Sequence, residues 1–158
     1  MTVVGVTRGW WFVSAGLAAM LVAGCASAPK PAKISGTIEA SASVNPSASQ
    51  RPSPVMLRVY ELKSPTAFNA ADFMSLYQRD QAELASDFVA REEMTLAPGE
   101  SRPLTKTLSV DTKYIGVVAA FRDLEHARWR AIAPVQPGKA HKVVIRADAL
   151  AVTVTVSR

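Results

Sequence analysis

The chain has 158 residues, a formal net charge of +5 and hydrophobic side chains at 49% of its positions. That length suits one domain with a buried core. The basic residues form no run interleaved with aromatic side chains, which excludes the usual pattern of a nucleic-acid-binding stripe. The single cysteine excludes an internal disulfide and a cysteine metal site.

The first 24 residues have the layout of a secretory signal peptide. Arg8 is their only charge, an apolar core covers residues 10–23, and small residues precede the sole cysteine, Cys25. A transmembrane helix is the competing interpretation, because residues 9–29 are uncharged and a span needs about 20 residues. Gly, Ser and Pro dilute the last third of this run, so we favour a signal peptide that is cleaved before Cys25.

A tether, a strand and a long loop are predicted next. Residues 25–33 contain two prolines and small side chains, which predicts a tether, and its eight residues after Cys25 reach at most about 29 Å. Residues 34–44 alternate between apolar and polar side chains, which indicates a half-buried strand. The following segment, 45–54, has three prolines and little to bury. We expect an exposed loop, and long ordered loops often carry function.

The clearest strand pattern, at 55–62, is followed by a change of period. Both faces of 55–62 are largely apolar, which predicts a central strand. Residues 70–77 then place Phe73, Leu76 and Tyr77 on one side of a predicted helix, which continues weakly to residue 84. Asn69 is its predicted N-cap, and Phe68 would pack against Phe73 as a hydrophobic staple.

The remainder of the chain returns to the period of strands. Short alternating or apolar runs predict strands at 88–96, 104–110, 114–121, 129–132, 141–145 and 152–156. About eight strands with one short helical insertion indicate an all-β domain over residues 34–158. The predicted fold is an antiparallel β-sandwich.

No set of residues in the sequence supports catalysis. His126 and His141 are far apart, no Gly-x-Ser-x-Gly elbow precedes a helix, and the scattered glycines form no phosphate-binding loop. Arg122 and Asp123 are interpreted as an ion pair at a strand end. Trp129 is either an anchor for a partner or, as we favour, a core residue with basic neighbours. We therefore expect no enzyme, no metal, no cofactor and no small-molecule substrate.

Several motifs together resemble one family. A small-residue pair before Cys25 is followed by Val-Asn-Pro at 44–46, Pro-x-x-x-Arg-x-Tyr-x-Leu at 54–62 and Gly-x-x-Ala-x-Phe-Arg-Asp at 116–123. In order and spacing the chain from Ile34 onward resembles the TssJ family, outer-membrane lipoproteins of bacterial type VI secretion systems. The resemblance implies a transthyretin-like β-sandwich with an added helical element.

The same resemblance implies attachment at two places. Cys25 would carry acyl chains and anchor the mature protein in the outer membrane, facing the periplasm. Ala26 agrees with this address, because Asp at that position favours inner-membrane retention. The loop between the first two strands would bind the periplasmic C-terminal domain of TssM, and through TssM the protein would join TssL in a trans-envelope complex.

In this sequence the implied loop has nine residues: Asn45, Pro46, Ser47, Ala48, Ser49, Gln50, Arg51, Pro52 and Ser53. Gln50 and Arg51 are the expected anchors, because a polar loop needs large side chains to bind tightly. Two alternatives remain open. One is an envelope lipoprotein that binds a small ligand or glycan, which an exposed Trp129 beside a pocket would favour. The other is a hydrolase, which would need His126 or His141 paired with a buried acid.

Overall fold

The computed structural model of the chain describes residues 1–2 and 29–158. Cys25 and nearly all of the predicted signal peptide lie outside the described residues. None of the helices in the described part is long and apolar enough to cross a membrane. The described strands are β1 (Lys33–Ala40), β2 (Val55–Leu62), β3 (Phe88–Leu96), β4 (Ser101–Thr107), β5 (Tyr114–Ala120), β6 (Arg130–Pro134), β7 (Ala140–Ala147) and β8 (Val152–Ser157).

The eight strands form two sheets of four, in the orders β4-β1-β7-β8 and β3-β2-β5-β6. This confirms the predicted all-β sandwich with a helical insertion. One pair departs from the antiparallel expectation, because β1 and β7 are parallel neighbours. Parallel neighbours need a long crossover, and here the crossover contains the whole second sheet. Alternation along a strand predicts its faces but carries no information on the direction of its neighbour.

Strand β2 is central, as predicted, and it contributes to two cores. Val55 and Leu57 are fully buried between the sheets, while Tyr60 and Leu62 are fully buried in a second cluster beneath the helices. Successive side chains of a strand point to opposite faces. A strand with apolar residues on both faces therefore joins the two cores.

The helical insertion differs from the prediction. It consists of α1 (Thr66–Ala70), α2 (Phe73–Leu84) and a 3-10 turn (Ala85–Asp87). Asn69 is not the cap that we predicted, since it lies inside α1. Asp72 caps α2 instead, because its carboxylate accepts a hydrogen bond from the backbone N–H of Ser75 at 2.9 Å.

Some strand boundaries are also shifted. The strand predicted at 34–44 ends at Ala40, because the chain turns at once and Val44 N–H donates to the carbonyl of Ser41. At its other end β1 begins at Lys33, and Ala32 is already buried in the core. Folded structure therefore begins two residues before the predicted boundary of the domain.

The strand directions divide the connections between two ends of the sandwich. One end, here called the loop end, carries the connections β1–β2, β3–β4, β5–β6 and β7–β8, which are residues 41–54, 97–100, 121–129 and 148–151. The opposite end, here called the tether end, carries residues 29–32, 108–113, 135–139 and the C-terminus. The connection 63–87 starts and finishes there, but its helices pack on the face of the β3-β2-β5-β6 sheet. Residues 29–32 of the predicted tether and the predicted partner-binding loop thus lie at opposite ends of the domain.

Candidate functional site

Asn45 is the base of the β1–β2 loop and bonds to the far end of that loop and to two other segments. Its backbone N–H donates to the carbonyl of Ala149 at 2.9 Å, and its side-chain amide donates to the carbonyl of Pro54 at 2.8 Å. Its Oδ1 accepts from the backbone N–H of Arg122 at 2.8 Å. Asn45 is 3% exposed and has a φ of +50°, a conformation that Asn tolerates better than most residues. Its role is therefore to hold the loop in place.

The tip of the loop is closed by its own hydrogen bonds. Ser47 N–H donates to the carbonyl of Arg51 at 2.8 Å, and Gln50 N–H donates to the carbonyl of Ser47 at 2.8 Å. Lower down, Ser53 N–H donates to the carbonyl of Val44 at 3.1 Å. A loop whose ends meet and whose interior is bonded in this way is preformed, so it loses little entropy on binding.

The nine predicted loop residues divide into two groups. Asn45 and Ser53 are buried, and Pro46 and Ser47 are half-buried. The remaining five form an exposed tip: Ala48, Ser49, Gln50, Arg51 and Pro52. The two expected anchors therefore lie in the part of the loop that a partner can reach, and contact with a partner remains a prediction.

A cleft of about 410 Å³ lies on one side of the loop, where Pro46, Ala48 and Gln50 face Arg122 and Leu150. A second concave surface of about 270 Å³ lies on the other side, between the loop and Arg122. Sequence reasoning missed Arg122 and Leu150 as members of this site. Arg122 is the second residue after β5, and because β5 ends at the loop end, Arg122 lies beside the β1–β2 loop.

The predicted ion pair between Arg122 and Asp123 does not form. Asp123 faces His126, whose Nδ1 lies 2.9 Å from the carboxylate and whose backbone N–H donates to it. The hydrogen bond from the His126 side chain lowers the pKa of Asp123. The Arg122 side chain makes no ion pair with any carboxylate of the described residues, and its exposed guanidinium is available at the loop.

The alternative functions depend on Trp129, His126 and His141. Trp129 is partly buried against both cores, with the Phe73 ring 5.4 Å from its own, which confirms it as a core residue. His141 is buried and its ring faces the backbone of Gln136, while His126 is exposed beside Asp123. Among residues 1–2 and 29–158 no group of acidic, His or Cys side chains is placed to hold a metal ion.

Comparisons with known proteins agree on one family. The family model described as type VI secretion lipoprotein (VasD, EvfM, TssJ) matches residues 32–151. The crystal structure of the T6SS lipoprotein TssJ1 from Pseudomonas aeruginosa is 36% identical, with a TM-score of 0.78 over 81% of this chain and 98% of that one. No curated protein sequence matches the chain.

Two further solved structures are similar. Serratia marcescens Lip, described as a membrane bound component of the type VI secretion system, is 26% identical with a TM-score of 0.70, over 81% of this chain and 97% of its own. A chain in a structure described as the T6SS protein TssM C-terminal domain (869-1107) from EAEC is 28% identical with a TM-score of 0.64, over 77% of this chain and 99% of its own. This chain belongs to the TssJ family of type VI secretion lipoproteins.

Proposed function

We propose that this protein is the outer-membrane-anchored lipoprotein of a type VI secretion membrane complex. It binds the periplasmic C-terminal domain of TssM with its loop end and is held in the membrane by acyl chains on Cys25. The observation that carries the proposal is the placement of the preformed β1–β2 loop at the end of the sandwich opposite residue 29. A protein attached at opposite ends can bridge a membrane and a complex.

The anchor half of the proposal rests on the cysteine motif and on the family. Stable membrane attachment by lipid needs two or more acyl chains, and the processing of this type of motif adds them. Six residues, 26–31, separate Cys25 from the buried Ala32. An extended chain of that length spans about 20 Å, so the domain stays beside its membrane.

The partner half rests on the loop. Gln50 and Arg51 project from a tip that is ordered without a partner, and Arg122 extends the surface. Arginine is enriched in interface hot spots, and a preformed loop avoids much of the entropy cost of binding. TssM is supported as the partner by the similar chain in a structure whose description names the TssM C-terminal domain. TssL would be reached indirectly, and the protein would act by binding, without catalysis.

The loop is tested with the full chain and the TssM periplasmic domain. Replacing both Gln50 and Arg51 with Ala is expected to weaken binding at least about tenfold, which equals roughly 1.4 kcal/mol. Thermal stability should change little, because both side chains are exposed. Arg128→Ala is the matched control, since Arg128 is exposed at the same end but lies outside both concave surfaces. Unchanged affinity in the double variant would remove the tip from the interface.

The anchor is tested by cell fractionation of the full chain. Cys25→Ser is expected to lose acylation and to disappear from the outer-membrane fraction, and secretion should fail with it. Ala26→Asp keeps the cysteine and is expected to shift the protein toward the inner membrane. Continued secretion by an unacylated Cys25→Ser protein would contradict an obligatory anchor.

A further inference from the structure

Lysine is confined to one part of this molecule. Five lysines lie in the tether-end segments or, for Lys33, at the tether-end start of β1: Lys30, Lys33, Lys63, Lys113 and Lys139. The remaining two are Lys106 of β4, which is the register partner of Ile34, and Lys142 of β7, which is the register partner of Ser35. Both lie in the tether-end halves of their strands. No lysine of the described residues lies in the loop-end half.

Backbone hydrogen bonds join these positions into two adjoining groups. Lys33 N–H donates to the carbonyl of Lys139 at 2.9 Å, and a Cβ placed on Gly138 would lie 3.5 Å from the Cβ of Lys30. Lys113 N–H donates to the carbonyl of Leu62, the neighbour of Lys63, at 2.9 Å.

A further bond links the groups, because Val135 N–H donates to the carbonyl of Lys113 at 2.8 Å and Val135 begins the connection that contains Lys139. We call Lys30, Lys33, Lys63, Lys113 and Lys139 the lysine surface. Its residues lie at one end of the sandwich, in segments that belong to both sheets or connect them.

Most of this positive charge is not neutralised within the domain. Lys63 lies 3.7 Å from Asp111. No carboxylate of the described residues lies within 4.0 Å of the amino groups of Lys30, Lys33, Lys113 and Lys139, and all four are exposed. Val110 sits in the same end, in the connection β4–β5, and is 43% exposed. An exposed apolar side chain beside free ammonium groups matches a lipid headgroup region.

We propose that the lysine surface rests on anionic lipid headgroups of the membrane that holds the acyl chains, and that this contact turns the loop end away from the bilayer. The inference rests on the proposed anchor at Cys25, because an extended segment of six residues keeps this end within about 20 Å of the bilayer. Anionic headgroups attract lysines within roughly a Debye length of the surface, about 8 Å at physiological salt.

The kind of cation favours a lipid over a protein as the occupant. Lysine is depleted in protein interfaces and arginine is enriched there. The ammonium is a compact charge that suits a fluid array of phosphates, whereas the planar guanidinium suits fixed paired contacts. Arg51 and Arg122 stand at the loop end, where a protein partner is proposed, and the lysines stand at the opposite end.

The test uses residues 29–158 and vesicles. The P. aeruginosa crystal structure has 98% of its chain covered by 81% of this one, so a domain of this extent folds without the leader. Co-sedimentation is measured with vesicles of equal parts phosphatidylglycerol and phosphatidylethanolamine, and with phosphatidylcholine alone. We expect binding to the anionic vesicles, little binding to phosphatidylcholine, and a steep loss of binding with added salt.

A quadruple glutamine variant removes the unneutralised lysines: Lys30, Lys33, Lys113 and Lys139. Binding to anionic vesicles is expected to fall by about tenfold or more. The matched control removes four exposed arginines outside the lysine surface, Arg79, Arg102, Arg128 and Arg146, and is expected to keep most of the binding. Equal losses in the two variants would show attraction by net charge alone and would overturn the proposal, as would full binding by the lysine variant.

The fragment lacks Cys25, so its result is independent of lipidation. If the fragment ignores anionic vesicles while Cys25→Ser still releases the full chain from membranes, the lysine surface is wrong and the anchor stands. If the lysine variant instead loses affinity for the TssM periplasmic domain, this end binds protein and the proposal is overturned.

Discussion

The two ends of the sandwich are closed by different kinds of buried side chain. At the loop end the neutral amide of Asn45 holds the other end of the β1–β2 loop at Pro54 and joins it to Arg122 after β5. At the tether end the Glu61 carboxylate accepts from Ser109 N–H at 2.9 Å and from the Thr112 hydroxyl at 2.7 Å.

Lys106 of the opposite sheet lies 2.8 Å from the same carboxylate. Burial alone would raise the pKa of Glu61, but the hydrogen bonds from Lys106, Ser109 and Thr112 outweigh it and lower the pKa. The comparison teaches that the buried polar side chain is a neutral amide at one end and an ionised carboxylate at the other.

The largest expected effect breaks both ends together. Gly36 lies in the middle of β1, the strand that runs from the tether end to the loop end, and a Cβ placed there would lie 1.8 Å from the Val143 carbonyl. Gly36→Ala must push β1 from its parallel neighbour, and we expect a loss of more than about 3 kcal/mol in the free energy of unfolding. Urea unfolding of the variant and the parent protein measures this loss of free energy.

Gly99→Ala is the control for this change. Gly99 also has a positive φ, of +76°, but a Cβ there meets open space. We expect it to cost only about 1 kcal/mol. Similar losses at Gly36 and Gly99 would mean that backbone conformation, and not the clash with β7, sets the cost.

The next change breaks the loop end alone. Asn45→Ala removes two partly buried side-chain hydrogen bonds and leaves Arg122 N–H and the Pro54 carbonyl without them, which we expect to cost about 2–4 kcal/mol. Asn45→Gly loses the same bonds but tolerates the positive φ, so the difference between the two variants isolates backbone strain. Affinity for TssM should fall in both, because the loop is no longer held. Normal affinity in Asn45→Ala would show that binding to TssM does not need the loop to be held by Asn45.

A smaller effect tests the buried carboxylate of the tether end by pH. Because the pKa of Glu61 is lowered from its ordinary 4.5 in the folded state, its stabilisation is present above pH 4.5 and is lost as the pH falls through the folded value. Glu61→Gln is expected to cost about 1–2 kcal/mol at neutral pH and less in acid. Urea unfolding between about pH 3 and 7 measures this convergence. Glu125→Gln changes an exposed residue of the loop end, and its free energy of unfolding should vary with pH in parallel with that of the parent protein. A Glu61→Gln profile that also stays parallel to the parent would contradict the role of Glu61.

The smallest expected effect on stability sharpens the role of the loop tip. Gln50 has a φ of +60°, which glycine adopts without strain. Gln50→Gly should therefore leave the free energy of unfolding unchanged or raise it by less than about 1 kcal/mol. Weaker binding to TssM in this stable variant, measured by calorimetry, would assign the loss to the side chain. Unchanged binding would leave Arg51 as the main anchor of the tip.

Local patterns predicted most of the elements but not how they are joined. The two-residue period located eight strands because burial of one face acts on each strand separately. The break between α1 and α2 was missed because Asp72 and Asn69 are both good caps, and the choice depends on burying Phe68 against Tyr60, whose ring lies 5.7 Å away. The parallel pair of β1 and β7 was missed for a similar reason, since register across a hundred residues leaves no local signal.

The site was predicted in part for the same physical reasons. Composition alone predicted an exposed loop at 45–54, because prolines and small polar residues cannot form a core. The sequence by itself determined the position of the cysteine motif, the strands and the loop, which depend on short-range periodicity and polarity. Only the tertiary structure decided that Asn45 is buried, that Arg122 joins the loop and that the lysines share one end. Each of these depends on segments far apart in the chain, which meet only when the two sheets pack.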